Sequence, residues 1–321
     1  LSPMTFSDKE MKEVTDQYCR DMTRRGFLRA GGGLAVWSLW PAFGGVSSGK
    51  DAGWRPRLAL SSVMFSQLSL DAFCGQAAEL GFKGIDVWSP FGNCRHLAEA
   101  RELGVDGWRK LLAKHRLEVA CYTTYRTAGH DEGFPGFAEF IGASGGGLVV
   151  RESQYGTFAA DELEAHMRKF FEALQPEIEL ARKHRVRLVI ENHSDALLDT
   201  LASFQAFMKL NPAPEVVGIG LAIYHLQARK VPVEEAIRAC GKQLMFVYAW
   251  QQGRGLAQLP GHGPAEFAPW LRALAQQDYG HWISPFMHGE QPVEEMAAAV
   301  TKACRYLESA AEQQQSREWT N

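Results

Sequence analysis

The sequence predicts a (β/α)8 barrel, and three observations support this prediction. Short apolar segments of the kind that form buried strands alternate with segments of helical periodicity, eight of each. Polar and charged side chains follow directly where several of the apolar segments end, which is where such barrels carry their functional groups. The chain has 321 residues, 46% of them hydrophobic, so it is long enough to form one such domain and bury its core.

The order of the elements along the chain gives the (β/α)8 alternation. The predicted strands are Leu58 to Met64, Gly84 to Trp88, Leu117 to Thr123, Gly147 to Arg151, Val186 to Asn192, Val216 to Ile223, Leu244 to Trp250 and Trp282 to Met287. The predicted helices are Leu70 to Leu80, Val105 to Lys114, Phe137 to Ile141, Ala160 to Lys183, Leu198 to Leu210, Val233 to Cys240, Ala265 to Gln276 and Pro292 to Gln313.

The barrel accounts for most of the chain but not all of it. Residues 54–311 form the predicted domain, residues 1–53 precede it, and residues 312–321 are a Gln-rich polar tail that is expected to fray. The third helix is the weakest element, because Gly129 to Gly147 is rich in Gly and Phe and could be mostly loop.

The N-terminal segment predicts export by the twin-arginine route. Arg24 and Arg25 are followed by a Gly-rich apolar stretch from Ala30 to Phe43 and then by small residues through Ser48. The alternative is an amphipathic surface helix, but the glycines make a poor helix. The stretch is too short and glycine-rich for a stable membrane span, so a periplasmic location is expected.

Composition and missing motifs exclude several functions. The net charge of −3 and the absence of a Lys/Arg cluster argue against nucleic acid as a partner. The glycine runs lack the strand, GxGxxG and helix context, so no nucleotide cofactor is expected. Six cysteines without close spacing predict neither a zinc ribbon nor a redox motif.

The predicted strand ends supply the candidate functional residues. Glu191 and His193 lie two residues apart at the end of the fifth strand, so their side chains should point to the same side. The other strand ends contribute Asp86, Trp88, Tyr122, Thr123, Arg151, Glu152, Tyr224, His225, Gln227, Tyr248, Trp250, Gln251, Gln252, Arg254, Ser284, His288 and Glu290. Aromatic faces beside amides and a guanidinium suit a polyhydroxylated ring, so a small carbohydrate or keto-sugar is the expected ligand.

Three segments resemble the xylose isomerase-like barrels, a family of sugar isomerases, ketose 3-epimerases and endonuclease IV-type enzymes. They are the unit from Ala77 to Asp86, the strand end Ile190-Glu191-Asn192-His193 and the helix Met296 to Leu307. The resemblance covers roughly Leu58 to Leu307. It implies the same barrel and, in the family's sugar enzymes, a divalent metal that holds the substrate while two Glu residues move a proton.

The resemblance carries over only in part to the metal ligands. Glu191 matches the family's Glu on strand five. The Asp-x-x-His of strand six becomes Ala222 to His225, the His of strand seven becomes Tyr248, and the Glu of strand eight becomes Ser284. Arg254 matches the family's substrate-binding Arg.

Two interpretations of this departure stay open. In the first, Glu191, His193, His225 and His288 form a rebuilt site for Mn, Fe, Zn or, less readily, Mg. In the second, the metal is lost and the pocket works by acid-base chemistry or only binds sugar.

The leading hypothesis is an enzyme that abstracts a proton next to a carbohydrate carbonyl, as an isomerase, epimerase, lyase or hydratase. Its catalytic residues are Glu191, His225 and His288. Its substrate-binding residues are Arg254, Gln251, Gln252, Trp250, Tyr248 and Trp88. The alternative is a non-catalytic periplasmic sugar-binding protein with a degenerate metal site.

Overall fold

The protein forms a closed barrel of eight parallel strands. The structure, a computed structural model, describes residues 53–89, 91–125 and 133–318. Each strand pairs with the next along the chain, and the last pairs with the first. The strands are β1 Arg57–Ser61, β2 Gly84–Trp88, β3 Glu118–Thr123, β4 Gly147–Glu152, β5 Val186–Glu191, β6 Val217–Ala222, β7 Leu244–Ala249 and β8 Trp282–Pro285. The predicted (β/α)8 barrel is confirmed.

Helices surround the barrel and connect its strands. They are α1 Leu70–Glu79, α2 His96–Glu102, α3 Gly104–His115, α4 Gly133–Ala143, α5 Leu163–His184, α6 Leu201–Leu210, α7 Ile223–Ala228, α8 Val233–Cys240, α9 Ala268–Ala275 and α10 Val293–Glu318. Every predicted helix is present, with ends shifted by a few residues.

The sequence pattern misses two short helices and underestimates two others. Helices α2 and α7 have seven and six residues, too few for a helical period to be recognised. The glycine-rich segment contains the full helix α4, because Phe134, Phe137 and Ile141 bury one face of it. Helix α10 continues beyond Gln313 to Glu318, since Glu, Gln and Arg are good helix formers.

The predicted export signal lies outside the described residues and stays a prediction. None of the described helices is long and apolar enough to cross a membrane. The five cysteines in the described part of the chain are free thiols.

Alternating strand residues divide the core into two layers. Inward-facing residues such as Val150, Val189 and Phe246 fill the barrel, while outward-facing residues such as Leu188 and Ile190 pack against the helices. This alternation is why Glu191, two positions after Val189, lies inside the barrel.

The N-terminal end of the barrel is closed by Trp282. A Cβ atom at Gly84 would lie 2.7 Å from the Trp282 ring, so this glycine allows the indole to cross the barrel. The Arg57 guanidinium lies 4.0 Å from the centroid of the same ring and pairs with Glu118 at 3.1 Å. Side chains therefore fill the N-terminal end of the barrel. In barrels of this kind the functional groups lie at the opposite, C-terminal end.

A second glycine allows two neighbouring strands to approach each other closely. A Cβ atom at Gly218 in β6 would lie 2.5 Å from the carbonyl oxygen of Gln243 and 2.7 Å from the Met245 side chain. The first contact involves backbone, which cannot move away without shifting β7.

We expect Gly218→Ala to lower the free energy of unfolding by about 1–3 kcal/mol, because the added methyl group overpacks the barrel. Urea denaturation measures the change. The control is Gly75→Ala in α1, where the new Cβ would lie 3.6 Å from His115 Cε1, an ordinary contact. Equal stability of the Gly218 variant and the wild type would contradict the packing described here.

Candidate functional site

Glu191 is the last residue of β5 and lies inside the barrel, only 6% exposed. Its neighbour in β6 is Gly220, which has no side chain to fill the space beside it. The next residue, Asn192, faces the other way and binds both backbone groups of Ala222: its Oδ1 accepts from the N–H at 2.6 Å and its Nδ2 donates to the carbonyl at 3.2 Å. This pair of hydrogen bonds fixes the end of β5 to the end of β6.

The Glu191 carboxyl is electrostatically unusual. Its Oε2 atom is buried and has no hydrogen-bond partner among the described residues. Burial, together with the nearby Asp86 carboxyl, raises the pKa of Glu191 well above its usual value. A carboxyl with these properties is a proton acceptor of increased basicity.

Asp86, in the middle of β2, is completely buried and forms the centre of a hydrogen-bond cluster. The donors to its oxygens are Ser61 Oγ (2.6 Å), Trp88 Nε1 (2.6 Å), Cys121 Sγ (3.1 Å), Thr123 Oγ1 (2.7 Å) and Tyr248 OH (3.2 Å). Burial raises the pKa of Asp86, and the hydrogen bonds from Ser61, Thr123, Cys121 and Trp88 oppose that rise.

The Asp86 cluster includes two positions of particular interest. The Tyr248 hydroxyl lies 2.8 Å from Thr123 Oγ1 as well as within reach of Asp86, and Ser284 Oγ lies 2.9 Å from Ser61 Oγ. The cluster therefore joins strands β1, β2, β3, β7 and β8 across the barrel.

Asp86 is predicted from the sequence as a strand-end residue, but without a role. A carboxyl between Ile85 and Val87 in an otherwise apolar strand could have indicated a role for Asp86. A buried carboxyl is tolerated only when other groups hydrogen bond to it. Its partners Ser61 and Cys121 lie on other strands, and no local pattern connects them to it.

His193 and His225 lie face to face at the mouth of the barrel. Their ring centroids are 3.7 Å apart, with an angle of 35° between the planes. His193 Nδ1 donates to the carbonyl of Ser194 at 2.9 Å, and Ser194 Oγ lies 3.1 Å from His225 Nδ1. Burial lowers the pKa of both histidines, that of His225 well below the usual value, so both rings are neutral at pH 7.

His288 lies against an aromatic layer at the mouth, near His193. Its ring is 4.9 Å from Phe286 and 5.2 Å from Trp250. Burial, followed by the neighbouring His193, lowers the pKa of His288 to about 4. Trp250 in turn stacks on Tyr224 at 4.2 Å, and its Nε1 atom is buried without a partner among the described residues.

The remaining predicted substrate-binding residues have different environments. Trp88 stacks on Phe286 at 5.5 Å, and its N–H is committed to Asp86. The Gln251 amide braces a loop: Nε2 donates to Leu259 O at 2.9 Å and Oε1 accepts from Ala265 N at 2.7 Å, and its contact with a substrate stays a prediction.

Two predicted residues stay at the surface of the mouth. Gln252 and Arg254 are both exposed in the segment after β7. The backbone N–H of Gln252 donates to Gln227 Oε1 at 2.8 Å. Both side chains lie outside the buried interior of the barrel, and their contact with a substrate stays a prediction.

The predicted metal ligands do not fit a shared ion as they are arranged. Two imidazoles bound to one ion at about 2.0–2.1 Å, with an angle of about 90° or more between them, would have ring centroids at least about 4.5 Å apart. The centroids of His193 and His225 are 3.7 Å apart, with their faces together. Within the described ranges, no group of three or more His, Cys, Asp or Glu side chains is placed to hold a metal.

The closed barrel of eight parallel strands with surrounding helices places the protein in the class of (β/α)8 barrels. The sequence profile described as xylose isomerase-like TIM barrel matches residues 74–310. This match covers more than half of the chain, so the protein belongs to that family and the resemblance is confirmed. No curated protein sequence matches the chain significantly.

Solved structures with the same fold include three relevant proteins. The 3-keto-D-glucoside 4-epimerase YcjR from E. coli is 14% identical, with a TM-score of 0.61 over 78% of this chain and 99% of that one. The probable 3-DHS dehydratase AsbF from Bacillus anthracis is 14% identical, with a TM-score of 0.59 over 76% and 97%. The IOLI protein, solved with a bound zinc atom, is 15% identical, with a TM-score of 0.59 over 79% and 96%. These likenesses establish the fold.

We expect Asp86→Ala to lower the free energy of unfolding by at least about 3 kcal/mol, because it leaves several buried donors without an acceptor. Urea denaturation measures this loss. The control is Asp71→Ala, which removes an exposed carboxylate paired with Lys114 at 2.7 Å and is expected to cost less than about 1 kcal/mol. Similar losses for the two variants would disprove a central role of Asp86 in stability.

Proposed function

We propose that the protein is an enzyme that removes a proton next to the carbonyl group of a carbohydrate. The reaction is an isomerisation or epimerisation, or an elimination or hydration of a keto-sugar. The observation that carries the proposal is the buried, unpartnered Glu191 carboxyl at the end of β5. The family and the keto-glucoside epimerase and dehydratase among its structural relatives support it.

Glu191 acts as the base in this proposal. The C–H bond next to the carbonyl breaks, its electron pair forms a C=C bond, and the carbonyl oxygen takes up the negative charge of an enolate. Glu191 receives the proton. Because Ser284 stands at the position of the family's second Glu, one base on one face favours isomerisation or elimination over epimerisation through two bases.

The histidines act as neutral groups. Their lowered pKa values leave His225 and His288 uncharged at pH 7, so they act as hydrogen-bond donors or acceptors rather than as cations. His193 Nδ1 is used by Ser194, which leaves its Nε2 atom as the acceptor.

The second candidate function is a sugar-binding protein without catalysis. It is favoured by the tight use of Tyr248 and Ser284 within the Asp86 cluster, which leaves fewer polar groups for chemistry. A sugar would then raise the melting temperature without being converted.

Export by the twin-arginine route is proposed from Arg24 and Arg25 and the apolar segment that follows them. It would place the enzyme in the periplasm. A fusion of residues 1–53 to a reporter that needs this route tests the proposal.

We expect Glu191→Gln to lower the rate of proton exchange by about 10²–10⁴-fold, because the amide cannot accept the proton. Incorporation of deuterium from D2O into a 3-keto-D-glucoside, followed by NMR, measures the rate. Glu164→Gln, an exposed change on α5, serves as the control. Unchanged exchange in the Glu191 variant would exclude it as the base.

The pH dependence of this rate has a definite sign. The base is active when deprotonated, and its raised pKa moves the acid limb of the kcat/KM profile to higher pH than an ordinary Glu gives. Asp86→Asn removes a negative charge, so the limb should move back to lower pH. A limb that stays in place contradicts the electrostatic coupling between the two residues.

A further inference from the structure

Three of the four positions at which the family resemblance places metal ligands cannot serve as ligands here. One has no ligating side chain, and the side chains of the other two are hydrogen bonded within the protein. Ala222 at the end of β6 has no ligating side-chain atom, and its carbonyl accepts from Asn192 Nδ2. The Tyr248 hydroxyl is bound to Asp86 and Thr123, and Ser284 Oγ is bound to Ser61. Of the set that resembles the family's ligands, Glu191 alone keeps its carboxylate, and one carboxylate does not hold a resident divalent ion.

We infer that this barrel binds its substrate without a resident divalent metal ion, and that Trp250 Nε1 donates a hydrogen bond to the substrate oxygen that a metal would hold. The inference rests on the proposed function, because it states how that site binds a keto-sugar. The new element is the donor for the enolate oxygen, Trp250 Nε1.

The Asp86 cluster occupies two of the positions at which the resemblance places metal ligands, Tyr248 and Ser284, with hydrogen bonds of its own. Its donors lie 2.6–3.2 Å from the two carboxyl oxygens. Burial also raises the pKa of Tyr248 well above its usual value, so its hydroxyl keeps its proton and donates. A metal ion at this place would have to break the cluster.

Trp250 has the properties that the second half of the inference requires. An indole N–H can only donate, and a buried donor without an acceptor is rare because it loses its hydrogen bonds to water. The Trp250 ring is held by Tyr224, His225, Phe286 and His288, at centroid distances between 4.2 and 5.3 Å. The donor is therefore preorganised, as a group that stabilises developing charge should be.

Glu191 Oε2 and Trp250 Nε1 are complementary. Both are buried atoms without described partners; Glu191 is the last residue of β5 and Trp250 follows the last residue of β7, so both lie at the C-terminal end of the barrel. One accepts the proton from carbon, and the other donates to the oxygen on which the charge develops. No further reactant is needed: in an isomerisation Glu191 returns its proton to the neighbouring carbon while a hydroxyl proton of the sugar moves to the carbonyl oxygen, and in an elimination the proton leaves with the departing hydroxyl as water.

The same surroundings favour an uncharged keto-sugar as the substrate. The Asp86 and Glu191 carboxyls are both buried in the barrel interior, close enough to affect each other electrostatically. A phosphate or carboxylate on the reacting part of the sugar would lie beside these carboxyls, and an uncharged sugar has no such penalty.

The metal part is tested on the full chain, expressed without a His tag and analysed for Mn, Fe, Co, Zn and Mg by elemental mass spectrometry. Titration of MnCl2 and ZnCl2 is followed by calorimetry. We expect far less than one ion per chain, no saturable heat, and proton exchange of the 3-keto-D-glucoside that is unchanged by a chelator. A stoichiometric ion, or saturable binding of either salt that Glu191→Gln weakens, overturns the inference.

The Trp250 part is tested by the indole N–H resonances of 15N-labelled protein. The Trp250 resonance is assigned by its loss in Trp250→Phe. We expect it to move downfield when the 3-keto-D-glucoside is added in the presence of a chelator. Trp250→Phe should lower kcat by about 10²-fold, the loss typical of one donor to a developing oxyanion, with a smaller change in KM. Trp270→Phe on α9 is the matched control.

The outcomes separate this inference from the proposed function. Exchange that needs added Mn2+ leaves the proposed function intact and overturns the metal-free site. Sugar binding that shifts the Trp250 resonance without any proton exchange overturns the proposed function and supports the binding role of Trp250. An unmoved Trp250 resonance, with other indole signals shifted, overturns its role.

Discussion

Burial of the Asp86 carboxyl inside the barrel is the constraint on which the rest of the site depends. A carboxyl in an apolar interior is tolerated only if its oxygens are hydrogen bonded. Here that requirement occupies side chains from β1, β2, β3 and β7, and Ser284 of β8 is connected through Ser61. The identity of the inward-facing residues on more than half of the barrel is therefore tied to one side chain.

The cluster also separates the barrel interior into regions with different roles. Towards the N-terminal end, apolar side chains and Trp282 fill the barrel. Towards the mouth, Glu191, His193 and Trp250 have polar atoms that no other described residue binds. The Asp86 cluster therefore lies between these three side chains and the apolar filling of the barrel.

The fold could be predicted from the sequence, whereas the site could be predicted only in part. Strand β2 and helix α8 match their predicted bounds because buried apolar runs and helical periods are local signals. Glu191 was found because strand ends mark the mouth. The Asp86 cluster and the use of Gln251 as a loop brace depend on contacts between distant strands and loops, which have no local pattern. The same is true of the closely spaced His193 and His225 rings, whose centroid separation of 3.7 Å is too short for both to bind one ion.

Ser194 connects the two histidines at the mouth of the barrel. Its carbonyl holds His193 and its hydroxyl holds His225, so a single residue sets the orientation of both rings. Asn192, two residues earlier, is anchored to β6, and Asp195, the next residue, is bound to Gly156 in the loop after β4. Because Ser194 contacts both rings and its neighbours are fixed to other strands, a change at this one residue would alter the orientation of both imidazoles.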